Sequence, residues 1–135
     1  FYDALESEFR HCKDITVNIS EGFSNIVDVQ GHGLLLYHGA GIRMFQSIPW
    51  YGITQRVMRW KQSMKKDFIA AILGHFHTRG EMQWINTDIF MNGTAVTDDD
   101  FALENLGMDG ANSFWLFGCH PERGITWRFP IDLIR

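Results

Sequence analysis

The 135-residue chain is long enough to bury the core of one domain, and a composition of 45% hydrophobic and 14% aromatic residues excludes a disordered polypeptide. Its formal net charge of −4 argues against a bulk attraction to nucleic acid or to an anionic membrane. No apolar run reaches the roughly 18 residues that span a bilayer, and Cys12 and Cys119 fit neither a disulfide framework nor a Cys-x-x-Cys metal site. We therefore expect a single cytoplasmic domain over residues 1–135, without a membrane partner.

The amino-terminal part of the chain predicts a helix and then three strands. Apolar residues recur every three or four positions over residues 2–12, which is typical of a helix with one buried stripe. Apolar and polar residues alternate over residues 15–19 and predict a half-buried strand. Two more strands, at 26–29 and 34–37, are separated by a glycine-containing stretch that predicts a tight hairpin with His32 in its turn.

A loop and a basic helix are predicted next. Residues 40–51 lack periodicity, and Arg43 within them could bind a phosphate group of a substrate through paired charge-assisted hydrogen bonds, a solvated surface arginine being the alternative. One face of the following helix is apolar and comprises Ile53, Val57, Trp60 and Met64. Its basic residues are Arg56, Arg59, Lys61, Lys65 and Lys66. A solvated outer face explains these charges, and contact with a nucleic-acid backbone is the alternative that we favour less.

The second half of the chain is rich in predicted strands, at residues 70–73, 82–85, 88–91, 114–119 and 125–129. The last two strands are joined through a proline and a glycine, so we expect a hairpin turn with His120 exposed in it. Asp98, Asp99 and Asp100 precede an apolar segment, and we interpret them as acidic residues at the start of a helix instead of a cation site.

Two of the predicted strands end in histidine and glycine. The first continues into His38 and a glycine, and the second continues into Gly74, His75, Phe76 and His77. One helix separates these strands, so a parallel β-α-β arrangement would bring both histidine ends to one edge of a sheet. Alternate side chains of a strand point to opposite faces, so His75 and His77 can share a site only if the chain turns there or if they serve two adjacent ions.

These motifs resemble those of the calcineurin-like metallophosphoesterases, whose later signatures are a strand-terminal His-Gly and Gly-His-x-His. Four further stretches look like a phage- and plasmid-associated branch of that family: 48–53, 89–94, 115–118 and 124–128. The resemblance implies an α/β fold, namely the later half of a metallophosphoesterase-type β-sandwich with flanking helices. It also implies hydrolysis of a phosphomonoester or phosphodiester at a dinuclear centre.

The resemblance assigns His38 and His75 to one metal ion and His77 to its neighbour. Imidazole ligands suit divalent transition metals such as Mn, Fe, Ni or Zn. The family's three earlier motifs, Asp-x-His, Gly-Asp and Gly-Asn-His, do not occur here in the expected order. The resemblance therefore implies that the catalytic residues belong to an amino-terminal half upstream of Phe1, and that the isolated chain is an inactive hydrolase.

A second interpretation belongs to another class of function. A non-catalytic binding or scaffold protein could retain the same half-fold and touch nucleic acid through the basic helix.

Overall fold

The computed structural model describes residues 2–20, 22–46, 48–95 and 112–133. Its helices are α1 (Tyr2–Phe9) and α2 (Trp50–Ser63), and its strands are β1 (Ser24–Val29), β2 (His32–Tyr37), β3 (Ala70–Leu73), β4 (Gly80–Trp84), β5 (Thr87–Met91), β6 (Ser113–His120) and β7 (Gly124–Asp132). Neither described helix is long and apolar enough to cross a membrane.

Five strands form a mixed sheet in the order β1-β2-β3-β5-β4. The three inner strands β2, β3 and β5 are parallel, and the outer strands β1 and β4 run antiparallel to their neighbours. The register places Leu35 beside Ala71 and Ala71 beside Ile89. Helix α2 connects β2 to β3, so the predicted β-α-β unit is confirmed. The mixed α/β class is thereby confirmed as well.

The sheet is covered on both faces by different elements. Leu35, Ala71 and Ile89 belong to a core cluster that includes Ile53 and Val57 of α2. A neighbouring residue on each strand points to the opposite face, where Leu34, Ala70 and Phe90 form a second cluster. Residues of the hairpin β6–β7 cover that cluster: Trp115, Phe117 and Ile125. The short inner strands are almost continuously apolar because each alternate side chain enters one of these two cores.

The apolar face predicted for α2 is confirmed by its burial. Ile53 and Val57 are buried, and Trp60 packs against the same cluster while remaining partly exposed. The helix ends at Ser63, however, so Met64, which also packs against the cluster, and the basic residues Lys65 and Lys66 lie beyond the helix on which they were predicted. The helix begins at Trp50, where the sequence interpretation still placed the loop.

Several strand boundaries differ from prediction, and two of the differences lie at hairpin turns: the turn before β2 is shorter than predicted, and the turn between β4 and β5 lies one residue earlier. Gln30 and Gly31 both have positive φ, as the central residues of a two-residue type I′ turn do, so β2 begins at His32. His32 is therefore a strand residue and not a turn residue. Its Nε2 lies 2.9 Å from the carbonyl oxygen of Pro121. Ile85 and Asn86 also have positive φ and join β4 to β5, although the sequence placed Ile85 in a strand.

The strand predicted at residues 15–19 is wrong. Residues 15–20 have no regular secondary structure, and Ile15 and Ile19 are exposed. Alternation alone does not make a strand, because the backbone groups need a partner strand to bond with, and none of the described strands pairs with this segment. Helix α1 also ends earlier than predicted, leaving Cys12 exposed beyond it. The helix predicted after Asp98, Asp99 and Asp100 lies outside the described residues.

Candidate metal centre

The carboxyl ends of the three parallel strands meet at one edge of the sheet. His38 follows β2, Gly74 and His75 follow β3, and Asn92 follows β5. Backbone hydrogen bonds continue the sheet beyond the strands, from Gly74 N to His38 O (3.1 Å) and from Asn92 N to Leu73 O (2.8 Å). The edge is thus a fixed frame, and ligands of open α/β sheets usually bind at such an edge.

The chain turns sharply at His75. Phe76 N donates to the carbonyl oxygen of Gly74 at 2.9 Å, two residues back, and His75 has φ +72°, which is the value of the classic γ-turn. His77 also has a left-handed backbone, with φ +51°. The chain therefore turns here instead of continuing as a strand, which is the first of the two conditions under which His75 and His77 could serve one site. Non-glycine residues with such backbones cost about 1–3 kcal/mol each and cluster at functional sites.

Phe76 fixes this turn to the core. Its side chain is buried and belongs to the cluster beneath α2, and its ring lies 5.5 Å from that of His75. Burying Phe76 therefore offsets part of the strain at the residues on either side of it.

Gly39 allows the two histidine-bearing turns to approach each other. It has φ +109°, and a Cβ at this position would lie 2.8 Å from both the carbonyl oxygen of Gly74 and the Cβ of His75. A side chain at Gly39 would therefore push the turn after β3 away from the turn after β2.

The rings of His38 and His75 are in contact. Their centroids are 5.0 Å apart with an interplanar angle of 65°. Partial burial, followed by the charges of His38 and His77, lowers the pKa of His75 from its ordinary value of 6.5. The lowered pKa favours the neutral imidazole, which is the form that binds a metal.

His77 lies near the pair but does not join its ring contact. It is close enough to shift the pKa of His75, and its Nδ1 is buried without a hydrogen-bond partner within the described residues. A buried imidazole nitrogen of this kind would be satisfied by an ion or a water molecule. Over the same residues, however, no three side chains of His, Cys, Asp or Glu are arranged to hold a metal ion. Imidazole donors suit a transition metal ion, and the structure brings two of them into contact with a third nearby.

Asn92 lies at the same edge, but its side-chain oxygen is already hydrogen-bonded to the hairpin β6–β7. Its Oδ1 accepts a hydrogen bond from the backbone N–H of Trp115 at 3.1 Å. The Trp115 Nε1–H in turn donates to the carbonyl oxygens of Met91 (2.9 Å) and Gly80 (3.2 Å). Asn92 thus ties the hairpin β6–β7 to the sheet beside the histidines.

The other predicted residues lie elsewhere. Arg43 is exposed and lines a depression on the α2 side that none of the three histidines lines, so its assignment to the substrate stays a prediction. His32 lies at the opposite end of β2 from His38. His120 was predicted to be exposed in the turn, but it is the last residue of β6 and is half-buried. Its Nδ1 accepts a hydrogen bond from the backbone N–H of Glu122 at 3.1 Å. His11 is exposed in the turn after α1.

Sequence reasoning missed one contribution to this edge and one grouping of residues elsewhere. The position of Phe76 as an apolar residue between two polar ones hinted that it is an anchor, but its burial depends on packing with α2, which is distant in sequence. Arg56 and Arg59 share the depression with Arg43, and only their spacing of three residues on one helix hinted at this.

A depression of about 320 Å³ opens beside the histidines, and we call it the edge depression. Its lining includes His38, Gly74 and Asn92 from the three strand ends, together with the exposed Phe23. Of the three histidines only His38 lines this depression, and His75 is exposed at the surface beside it. Comparison of the chain with protein-family models, with curated proteins and with solved structures finds no match.

Proposed function

We propose that this chain is the later half of a metallophosphoesterase-type β-sandwich domain that hydrolyses phosphomonoesters or phosphodiesters with two divalent transition metal ions. The observation that carries the proposal is the contact of the His38 and His75 rings, 5.0 Å apart, at the carboxyl edge of parallel strands. The unpartnered Nδ1 of His77 beside this pair supports it.

Each histidine has a definite part in the proposal. His38 and His75 would hold one ion through ring nitrogens, and His77 would hold the neighbouring ion. Bound ions of this kind neutralise phosphoryl oxygens and lower the pKa of a water molecule. The chain itself contributes three things: a His75 whose lowered pKa favours the neutral imidazole, a backbone turn at Gly74 to Phe76 that positions the histidines on either side of Phe76, and an edge depression beside His38 in which the phosphoester would lie.

The ligand count makes the proposal specific. Two ions need a bridging group and more donors than three imidazoles. The resemblance to the family assigns these donors and the catalytic residues to an amino-terminal half. We therefore expect the 135-residue chain to bind one Mn²⁺ or Zn²⁺ weakly and to show no measurable hydrolysis.

Calorimetric titration with Mn²⁺ and with Zn²⁺ tests the first expectation. His75→Ala should abolish binding, whereas His11→Ala removes an exposed imidazole outside the site and should leave binding unchanged. Equal loss in both variants, or no binding by the unsubstituted chain, would contradict the metal site.

Hydrolysis of a chromogenic phosphoester tests the second expectation. Adding a polypeptide that carries the Asp-x-His, Gly-Asp and Gly-Asn-His motifs should restore a second ion and activity together. Strong hydrolysis by the chain alone would refute the division of the site between two halves, because a carboxylate of this chain would then supply the bridge.

A further inference from the structure

A second depression lies on the side of α2 and is separate from the histidines. It has a volume of about 340 Å³, and its lining includes Arg43, Arg56, Arg59, Tyr51 and Gln55. We call it the arginine depression. Three guanidinium groups around one cavity form a site for an anion, because guanidinium binds phosphate oxygens through paired hydrogen bonds.

The arginine depression is built by the packing of a loop on a helix. Arg56 and Arg59 lie three residues apart on α2 and therefore project from neighbouring positions of its surface. Arg43 comes from the loop after β2, whose backbone lies directly on the helix: a Cβ at Gly52 would overlap the carbonyl oxygen of Arg43. The three arginines are thus brought together by tertiary structure.

Arg56 is held in place before any ligand arrives. Its Nη2 donates to the carbonyl oxygen of Gly41 at 3.2 Å, and its guanidinium carbon lies 5.8 Å from the centroid of the Trp60 ring. A side chain fixed in this way loses less conformational entropy on binding.

The charges of the chain are segregated around this site. Residues 29–66 contain no Asp or Glu, so every acidic residue of the chain lies outside them. The same segment carries six basic residues: Arg43, Arg56, Arg59, Lys61, Lys65 and Lys66. The net charge of −4 therefore conceals a strongly basic segment.

The arginines of the depression are not neutralised within the part of the chain that the structure describes. The ion pairs found there are Lys61–Asp67, Arg79–Asp132 and Arg128–Glu81. Lys61 is thus a structural cation, whereas Arg43, Arg56 and Arg59 line one cavity, where their like charges repel one another. An anionic ligand would relieve that repulsion.

The remaining lining residues narrow the class of ligand. Tyr51 lines the same cavity as the arginines and is 69% exposed, so a ligand can reach its side chain, and Gln55 offers an amide with both donors and an acceptor. An exposed aromatic ring next to guanidinium groups is the combination with which proteins hold single-stranded nucleic acid. A site for inorganic phosphate alone would need no such ring.

We propose that the arginine depression binds a nucleotide unit, with its phosphate on Arg43, Arg56 and Arg59 and its base against Tyr51. A free nucleotide and a single strand of nucleic acid both present this unit. The site requires no metal ion, so it stands or falls independently of the proposed hydrolase.

Fluorescence anisotropy of a fluorescein-labelled oligothymidine, with the full chain in EDTA, measures the binding. The test variant combines Arg43→Gln, Arg56→Gln and Arg59→Gln. The control variant combines Lys13→Gln, Lys65→Gln and Lys66→Gln, which removes the same charge from exposed positions outside the depression. We expect the test variant to bind at least about tenfold more weakly, and its dependence on salt to flatten by about 2–3 in the log-log slope. The control should stay within about threefold of the unsubstituted chain.

Several outcomes would overturn the proposal: no binding by the unsubstituted chain, or an equal loss in the two triple variants, which would indicate diffuse electrostatic attraction. Unchanged affinity in Tyr51→Leu would overturn the assignment of a base. If the triple variant fails to fold by circular dichroism, the single exposed-loop change Arg43→Gln replaces it, and an unchanged affinity there overturns the role of Arg43.

Two further measurements separate the sources and the sites. Competition by thymidine monophosphate at concentrations where inorganic phosphate fails identifies a nucleotide pocket, whereas competition only by longer strands identifies a nucleic-acid groove. Equal competition by inorganic phosphate would refute both. His75→Ala should bind the probe normally even if the metal site is abolished, because this residue does not line the arginine depression.

Discussion

Replacing Gly39 with alanine should separate the two turns that carry His38 and His75. The residue has φ +109°, a backbone that costs an L-residue about 1–2 kcal/mol. The new Cβ would also lie 2.8 Å from the Gly74 carbonyl oxygen and 2.8 Å from His75 Cβ. Separating the two turns adds the usual cost of overpacking, about 1–3 kcal/mol. We expect the free energy of unfolding to fall by about 2–5 kcal/mol.

Gly31→Ala is the matched control for this change. Gly31 also has a left-handed backbone, with φ +82°, but a Cβ there would meet nothing within 4 Å. Its cost should be the backbone term alone, about 1–2 kcal/mol. Urea unfolding gives both values, and the difference between them isolates the close approach at Gly39.

Metal titration of the two variants completes the test. Gly39→Ala should weaken Zn²⁺ binding by about 10–100-fold, the usual effect of displacing the support of a ligand. Gly31→Ala should leave Zn²⁺ binding unchanged, since it lies in the turn at the other end of β2. Equal costs of unfolding, or equal metal affinities, would refute the argument that Gly39 brings the two histidine turns together.

Three other changes test the energetics of the fold. Burial and the neighbouring imidazoles lower the pKa of His75 below 6.5, so the folded chain binds fewer protons than the unfolded chain below that pH. The free energy of unfolding and the Zn²⁺ affinity should therefore both fall as the pH drops below 6.5. A stability that rises on acidification would contradict this. Ile85 is a β-branched residue with φ +46° in a type I′ turn, so Ile85→Asn should raise the free energy of unfolding by about 1 kcal/mol in thermal or urea unfolding. A loss of stability would instead show that the exposed Ile85 side chain makes a stabilising contact. Lys61→Met removes the 2.7 Å ion pair with Asp67 and the hydrogen bond to the Phe68 carbonyl oxygen, so it should cost about 1 kcal/mol at neutral pH. Because the bond from Lys61 lowers the pKa of Asp67 below 3.8, the ion-pair part of that cost should disappear as the pH falls below 3.8, and a cost independent of pH would assign it to the Phe68 bond alone.

The sequence correctly predicted that the two strands followed by histidines end at the same edge of the sheet, because a helical connection between two strands makes them run parallel. One amphipathic helix between two apolar strands predicts a parallel pair, and β2 and β3 are parallel. Burial of Ile53 and Val57 likewise followed from helical periodicity.

The backbone of the turn could not be predicted in the same way. Positive φ at His75 and His77 is disfavoured locally and persists because tertiary contacts, including the burial of Phe76, stabilise it. The strand predicted at residues 15–19 fails for the complementary reason: alternation describes one segment, whereas a strand requires a partner that the segment itself does not encode. The grouping of arginines depends on a loop packing against a helix, which no local pattern contains.

The order of strands in the sheet also bears on when the histidine cluster forms during folding. The pairs β1–β2 and β4–β5 are local hairpins that can close within microseconds. The parallel pairing of β2 with β3 joins residues such as Leu34 and Ala70, far apart in sequence, and must await closure of the long loop that contains α2. His38 and His75 meet only after that step, so a metal-dependent signal in a refolding experiment should appear with the slowest phase and report completed assembly of the sheet.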